Sequence, residues 1–318
     1  MDAIEVEGLK KRFGIVEALR EVSFRVEHGS ATGLLGPNGA GKTTTMKILV
    51  GLLKPTGGRA TVLGMDPWRE GHKVRQRVGV LHEKPSYPKG VSVRRLLEYA
   101  VRIRGLDHTE VSRVTRLVGL AEVSSRRVGA LSRGYLQRLG LALAIIGEPE
   151  VLLLDEPTAN LDPAARIEIL NLIDTLKREL GVTMLISSHI IPELEPLCDS
   201  AIFIAEGRVL DYGTLEELAR RHGTEAYILL EAERPRELAS KLISLDFVRS
   251  VEVDGSLIRV RVLPGSLEEA EIEISRAKGS YRLRVLSSGR AGLLDLYGRV
   301  VGGETPGENL RVPVGGAG

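Results

Sequence analysis

The feature that most constrains this chain is a glycine-rich loop between an apolar run and a helix-like run. The loop reads Gly36-Pro37-Asn38-Gly39-Ala40-Gly41-Lys42-Thr43-Thr44. It fits the pattern G-x-x-x-x-G-K-T, with residues 31–35 predicting a strand before it and residues 45–50 a helix after it. Such glycines let successive backbone N–H groups surround a phosphate, and the helix dipole attracts the same anion. The pattern therefore predicts nucleotide binding.

Two side chains of this loop have a defined chemistry in that interpretation. Lys42 would reach the β- and γ-phosphates of the nucleotide, and the Thr43 hydroxyl would ligate Mg²⁺. The alternative is an ordinary glycine-rich turn that opens a helix, with Lys42 solvated. The strand before the loop and the helix after it favour the nucleotide site.

A second apolar run ends in two adjacent acids. Residues 151–154 are branched and apolar, which predicts a strand buried on both faces of a parallel sheet, and Asp155 and Glu156 follow at its carboxyl end. Because strand side chains alternate in direction, Asp155 can hold Mg²⁺ while Glu156 takes a proton from a water. Without the phosphate loop, two solvated acids at a strand end would explain the pattern equally well.

Three further positions are candidates on weaker grounds. Residues 183–189 predict another buried strand, and its last residue, His189, could hydrogen-bond a terminal phosphate. Phe13 lies among cations near a turn, where it could stack on adenine or be a half-buried aromatic at a strand end. Residues 131–138 open a helix in which Ser132 is suited to the N-cap and Gly134 permits close backbone approach, and by itself this segment indicates an ordinary capped helix start.

Composition narrows the class of protein. The net charge is only +2 over 318 residues, so bulk electrostatics give no reason to expect a nucleic-acid partner. Cys198 is the sole cysteine, which excludes an intrachain disulfide and fits a reducing cytosol. The first residues lack the features of a signal peptide, and no run approaches the ~18 apolar residues of a membrane helix. Any membrane role is therefore expected to go through a partner.

The order of predicted elements changes near residue 223. Before that point, helices predicted between residues 85 and 148 have arginine-rich outer faces, which we interpret as solvated surfaces. Residues 223–301 predict the order β-α-β-β-α-β of a ferredoxin-like α+β domain. Residues 302–318 are rich in glycine and proline and are predicted to be disordered.

Taken together, these segments resemble the ATP-binding subunit of an ABC transporter over roughly residues 4–221. The matching motifs, in the family's order, are the Walker A loop (36–44), the signature motif (131–137), the Walker B strand (152–156), the D-loop (159–162, with Asp162) and the switch histidine (His189). Phe13 stands where the family keeps an adenine-stacking aromatic. The resemblance implies a P-loop NTPase fold of the α/β class over residues 1–222, with a helical signature subdomain at about 85–148.

Two positions depart from the family pattern. Glu83 stands where the family usually has a glutamine that touches Mg²⁺ and the attacking water. A carboxylate at this position can still bind the metal or order water, but it brings a negative charge near the γ-phosphate. The signature reads LSRGY instead of LSGGQ, which keeps Ser132 and Gly134 but changes Arg133 and Tyr135. This combination is similar to drug, peptide and bacteriocin-type exporter ATPases.

The resemblance implies ATP hydrolysis, with Mg²⁺, that energises transport through a separate multi-spanning membrane subunit. Two such subunits, as a homodimer or a heterodimer, would close head-to-tail with ATP between residues 36–44 of one and 132–134 of the other. Lys42 would neutralise phosphate charge, Glu156 would activate water and His189 would support the γ-phosphate. The chain would then lie in the cytoplasm, peripheral to the inner face of the cell membrane.

Two other functions stay open at this stage. A soluble ABC ATPase of translation or DNA repair would share these motifs without a membrane partner. A P-loop regulator that hardly hydrolyses ATP is the second alternative, and the Glu156 carboxylate argues against it. The sequence does not name the cargo, because the absent membrane subunit would select it.

Overall fold

The computed structural model describes residues 2–223, 226–263, 265–289 and 292–302. The chain separates into two compact units, Met1–Leu215 and Glu216–Gly318. The boundary between the units lies seven residues before the one expected from the sequence, and the domain assignment itself stays a prediction. Of the tail predicted to be disordered, residue 302 ends the last helix and residues 303–318 lie outside the described residues.

The first unit contains two sheets. Its strands are β1 (Asp2–Phe13), β2 (Val16–Glu27), β3 (Ala31–Leu35), β4 (Gly57–Val62), β5 (Val78–Leu81), β6 (Val151–Asp155), β7 (Thr183–Ser188), β8 (Ser200–Ala205) and β9 (Arg208–Thr214). One sheet is antiparallel, in the order β2-β1-β4, and the other has six strands in the order β5-β6-β7-β3-β8-β9. In the six-stranded sheet only the pairing of β8 with β9 is antiparallel. The α/β class predicted from the sequence is confirmed.

Helices connect these strands. They are α1 (Lys42–Leu49), α2 (Gly71–Arg77), α3 (Val93–Ile103), α4 (Thr109–Leu117), α5 (Arg133–Ile145), α6 (Pro163–Leu180) and α7 (Ile191–Leu194), with short 3₁₀ turns at Ala121–Val123 and Val128–Ala130. Helix α8 (Leu215–Arg221) begins at the last residue of this unit, and its other residues belong to the second unit. Helix α2 forms in a polar stretch of the sequence. Its few apolar positions, of which Val74 is buried, are too short a run to show helical periodicity.

The central strands bring three distant motifs to one edge of the sheet. Every residue of β3 and β6 is buried, which is typical of parallel strands covered on both faces. Strand β7 lies between β6 and β3, and the pairs Asp155–Ser187 and Leu35–Ser188 set the register at their carboxyl ends. The phosphate loop, the two acids and His189 follow these three ends, so they meet where α/β sheets bind ligands.

The second unit is built separately around its own apolar core. Its elements are β10 (Ala226–Ala232), α9 (Pro235–Leu242), β11 (Val248–Asp254), β12 (Leu257–Val262), α10 (Leu267–Tyr281), β13 (Leu283–Gly289) and α11 (Leu293–Gly302). The antiparallel sheet has the order β11-β12-β10-β13. Alternation in β10, where Ile228 and Leu230 face the core, buries one side of this sheet. In neither unit do the described residues include a helix long and apolar enough to cross a bilayer.

Candidate functional site

The phosphate loop packs too tightly to accept side chains at two of its glycines. A Cβ at position 36 would lie 1.9 Å from the carbonyl oxygen of Ile204. At position 41, where φ is +108°, a Cβ would lie 2.6 Å from Cδ2 of Leu19. Only glycine satisfies both requirements without moving the backbone. This packing fixes the backbone of the loop as a cradle that leads directly into the N-terminus of α1.

Lys42 lies inside this cradle. Its side chain is 5% exposed, and Nζ donates hydrogen bonds to the carbonyl oxygens of Gly36 (2.7 Å) and Pro37 (3.1 Å). The same Nζ lies 3.2 Å from Oε1 of Glu156. A buried ammonium held by carbonyl groups of a phosphate loop is positioned to exchange those partners for phosphate oxygens.

The next residue, Thr43, contacts the acid at the end of β6. Its Oγ1 donates to Oδ1 of Asp155 over 3.2 Å. The same Oδ1 accepts from Oγ of Ser187 at 2.7 Å, and Ser187 Oγ accepts the backbone N–H of Glu156 at 2.9 Å. A threonine hydroxyl beside a carboxylate supplies the hard oxygen ligands that Mg²⁺ takes together with substrate phosphates. The residues present thus fit a magnesium ion.

The surroundings of Asp155 raise the pKa of its carboxyl group. Burial raises the pKa of this carboxyl, and the nearby charges of Glu156 and Glu83 raise it further. Hydrogen bonds from Ser187 and Thr43 act in the opposite direction and lower this pKa. A divalent cation would offset the free-energy cost of burying the charged carboxylate, because it stabilises that charge.

Glu156 occupies the centre of the site. Its backbone is left-handed, with φ at +50°, which turns the carboxylate back toward Lys42. Oε2 lies 2.7 Å from Nδ1 of His189, whereas Oε1, although near Lys42 Nζ, has no hydrogen-bond partner among the described residues. A buried acceptor without a hydrogen-bond partner is costly, so this oxygen is available to accept a proton from water.

A second set of contacts holds the loop after Glu156, and sequence reasoning missed it. Oγ1 of Thr158 donates to Oε2 of Glu193 (2.8 Å), and Nη1 of Arg166 donates to Oε1 of the same carboxylate (2.6 Å). Glu193 lies on α7, four residues beyond His189, so this link runs alongside the contact between Glu156 and His189. Nε2 of Gln137, on α5, also donates to the carbonyl of Pro157 at 2.6 Å. The only sign of these contacts in the sequence was the presence of an acid, Glu193, four residues after His189.

The signature residues lie at the start of α5. Oγ of Ser132 accepts the N–H of Tyr135 over 3.4 Å, which makes Ser132 the N-cap. Nη1 of Arg133 donates to the carbonyl of Asn160 (3.0 Å), and a Cβ at Gly134 would meet nothing closer than 3.6 Å. Among the described residues, no hydrogen bond or ion pair joins Ser132 or Gly134 to the phosphate loop.

The remaining predicted residues make contacts with their own neighbours in sequence. Oδ1 of Asp162 caps α6 by accepting the N–H of Ala165 at 3.0 Å. The Glu83 carboxylate follows β5 and lies 3.4 Å from Nζ of Lys84. Phe13 is 48% exposed, and Nζ of Lys11 lies 5.0 Å from its ring centroid, so one aromatic surface is available for stacking.

Comparison with known proteins agrees with this geometry. Residues 19–159 match the family model described as ABC transporter. The chain is 35% identical to the daunorubicin resistance ATP-binding protein DrrA3 of Streptomyces coeruleorubidus, over 85% of this chain and 90% of that protein. It belongs to the ATP-binding subunits of ABC transporters.

Other relatives of this ABC subunit support the same assignment. It is 36% identical to the bacitracin transport ATP-binding protein BcrA of Bacillus licheniformis, over 69% of this chain and 72% of that one. A solved ATP-binding subunit of an ABC transporter superposes with a TM-score of 0.62 at 30% identity, covering 69% of this chain and 92% of that chain. The resemblance seen in the sequence is confirmed, and the ABC subunit belongs to a family that binds and hydrolyses ATP.

Replacing Asp155 with asparagine should stabilise the nucleotide-free ABC subunit while impairing hydrolysis. Because burial raises the pKa of Asp155, its charged form costs folding free energy above that pKa and nothing below the unfolded value of 3.8. The stability advantage of Asp155→Asn should therefore be largest near pH 7 and shrink as the pH falls toward 4. Urea unfolding of both proteins across this range measures the difference, and equal or lower stability of the variant at pH 7 would contradict the account.

Replacing Glu193 with glutamine should lower kcat by roughly ten- to a hundredfold, since small misplacements of catalytic groups have effects of this size. The affinity for ATP should change little, because, among the described residues, Glu193 contacts Thr158 and Arg166 and not the residues of the phosphate loop. Glu179→Gln, on the exposed side of α6, is the matched control. If Glu193 acts through Glu156, its substitution should have almost no further effect in a Glu156→Gln background. Additive losses in the double variant would show that Glu193 acts elsewhere.

Proposed function

We propose that this ABC subunit hydrolyses ATP at the edge where β3, β6 and β7 end, and that hydrolysis energises export through a separate membrane subunit. The observation that carries the proposal is the buried Glu156 carboxylate between Lys42 and His189, with one oxygen free of hydrogen bonds. The names of two relatives, which refer to daunorubicin resistance and bacitracin transport, support export as the direction.

Each residue of the site has a role in this mechanism. The loop amides and Lys42 hold the phosphates, and Lys42 leaves the carbonyls of Gly36 and Pro37 to do so. Oε1 of Glu156 orients a water toward the γ-phosphate and accepts its proton as the new oxygen–phosphorus bond forms. The bond between the γ-phosphorus and the β,γ-bridging oxygen breaks in the same step, and ADP is the leaving group. His189 fixes the other carboxylate oxygen and supports the γ-phosphate.

A metal ion and further side chains would complete the site. Thr43 and Asp155 would hold Mg²⁺, which would supply charge neutralisation at the phosphates. Phe13 stacks on the adenine, and Glu83 orders solvent near the γ-phosphate. Ser187 holds Asp155 and the Glu156 backbone in register, so it keeps the metal-binding and water-binding groups at a constant separation.

The site needs a second subunit. In the proposed assembly, Ser132 and Gly134 face away from the phosphate loop of their own chain and cover the nucleotide bound by a second copy. The signature residues of that second copy cover the nucleotide bound by the first copy. Asp162, in the D-loop, contributes at the same interface. A two-fold homodimer then contains two equal sites. The closing motion of the dimer is transmitted to the membrane subunit. Because this transmission requires contact with the membrane subunit, the chain lies on the inner face of the membrane.

Affinity purification of the tagged chain from membranes of the source cells tests this function. We expect a multi-spanning membrane protein to co-purify and the complex to release phosphate from ATP in the presence of Mg²⁺. Recovery of the chain with ribosomes or DNA, and not with a membrane protein, would instead favour the soluble ABC ATPases of translation or repair. Binding of ATP without phosphate release by the complex would favour a regulatory module.

A further inference from the structure

Positive charge is concentrated in one part of the first unit. Residues 85–148, which include α3, α4 and α5, contain eleven lysines and arginines but five aspartates and glutamates. The resulting net charge of +6 exceeds the net charge of +2 of the whole chain, so the rest of the chain is negative overall. Such segregation produces a local positive potential that a nearly neutral total conceals.

Much of this charge lies at the surface without an acidic partner. We use the term cationic face for six exposed arginines on α3, on α4 and in the segment before the second 3₁₀ turn: Arg94, Arg95, Arg102, Arg116, Arg126 and Arg127. Among the described residues, only Arg94 forms an ion pair, with Glu98 at 2.8 Å. Arg102 instead lies 6.0 Å from the ring of Tyr99, which is 55% exposed.

Two arginines of the cationic face, from separate helices, meet at one cavity. Arg94 and Arg116 line this cavity of about 580 Å³ between α3 and α4, together with Glu98, His108 and the hydroxyl residues Ser112 and Ser124. The backbone of residues 124–127 is tied to the start of α3, since Val93 N–H donates to the carbonyl of Arg126 over 3.0 Å. The cavity thus has two guanidinium groups against one carboxylate, which pairs with Arg94, so Arg116 and the hydroxyl donors are the groups that suit a phosphate oxygen.

We propose that the cationic face binds the anionic headgroups of the membrane surface, with a lipid phosphate in the cavity between α3 and α4. Tyr99 and the exposed Ile103 beside it supply the amphipathic and apolar side chains typical of membrane interfaces. Lipid is a better match than loops of the membrane subunit, because cytoplasmic loops of membrane proteins carry an excess of lysine and arginine. This inference rests on the proposed membrane location and adds a direct contact to it.

Sedimentation of the purified full chain with vesicles, in the absence of any membrane subunit, tests the proposal. The vesicles contain either neutral phosphatidylcholine alone or phosphatidylcholine with about 30% phosphatidylglycerol. We expect binding only to the anionic vesicles and its loss at ~1 M salt, where screening shortens to about 3 Å. In Arg95→Gln/Arg116→Gln, partitioning should fall about 25-fold, since each arginine near an anionic surface contributes about fivefold.

The matched control is Arg236→Gln/Arg284→Gln, which removes the same charge from two exposed arginines of the second unit and should leave partitioning unchanged. Equal losses in the two double variants, or equal binding to both kinds of vesicle, would overturn the proposal. So would competition by millimolar inorganic phosphate, which would show a soluble-anion site, or preference for an RNA oligomer over anionic vesicles. Because ATP hydrolysis by the same variants is measured separately, failure of lipid binding is distinguishable from failure of the proposed function.

Discussion

Replacing Glu156 with glutamine is expected to lower the rate of ATP hydrolysis by about 10²–10⁴-fold, the usual contribution of a general base. The amide keeps the size and the left-handed backbone position of the residue but cannot accept a proton from water. ATP should still bind, since Lys42 and the loop amides are unchanged. Removal of the negative charge beside Lys42 should even strengthen binding slightly.

Phosphate release and nucleotide affinity of Glu156→Gln are to be measured on the same preparation. Glu122→Gln, at an exposed position remote from the phosphate loop in sequence and without an ion pair among the described residues, is the control and should hydrolyse ATP normally. A near-normal rate in Glu156→Gln would remove Glu156 from the role of base. A loss that came entirely from weaker ATP binding would assign it to binding instead.

The second large effect is expected at Lys42. Replacement with alanine removes a buried ammonium that is positioned for the β- and γ-phosphates, and charge-assisted hydrogen bonds contribute about 1.5–3 kcal/mol each. Two such bonds correspond to a loss of roughly 10²–10⁴-fold in ATP affinity, and hydrolysis at subsaturating ATP should fall at least as much. The carboxylate of Glu156 also loses its nearest cation.

The Lys42 variant needs a control for folding, because an unpaired buried carboxylate destabilises the protein. Lys47→Ala, on the exposed side of the same helix α1, should bind ATP as the original chain does. Titration with a fluorescent ATP analogue measures affinity, and the melting temperature measured beside it separates weak binding from unfolding. Unchanged affinity in folded Lys42→Ala would contradict the phosphate-loop assignment.

The sequence predicted the phosphate loop and the strand that carries the two acids, because both are defined by local sequence patterns. The all-apolar strand before Asp155 and the glycine spacing of the loop define β6 and the start of α1 without any long-range information. Helices were likewise predicted between residues 85 and 148, where the structure has α3, α4 and α5. The family resemblance then ordered the motifs, and comparison with relatives confirmed it.

The contacts that the sequence did not predict depend on how distant strands and helices pack against one another. Ser187 was only part of a strand ending in histidine until pairing of β6 with β7 placed it against Asp155. Glu193 belongs to a four-residue helix, α7, whose length gives no periodic signal, and its partners lie 27 and 35 residues away. Such contacts arise from packing of whole elements, so a single sequence does not reveal them.

The central claim is that the phosphate loop is half of a site that a second subunit completes. Light scattering of Glu156→Gln, with and without ATP and Mg²⁺, tests it most directly, because slow hydrolysis preserves the bound nucleotide. The account predicts that the mass doubles from one chain of 34.6 kDa when ATP is added, and that a further Ser132→Arg substitution abolishes the change. A chain that stays monomeric at saturating ATP, or dimerises equally well with Ser132→Arg, would contradict it.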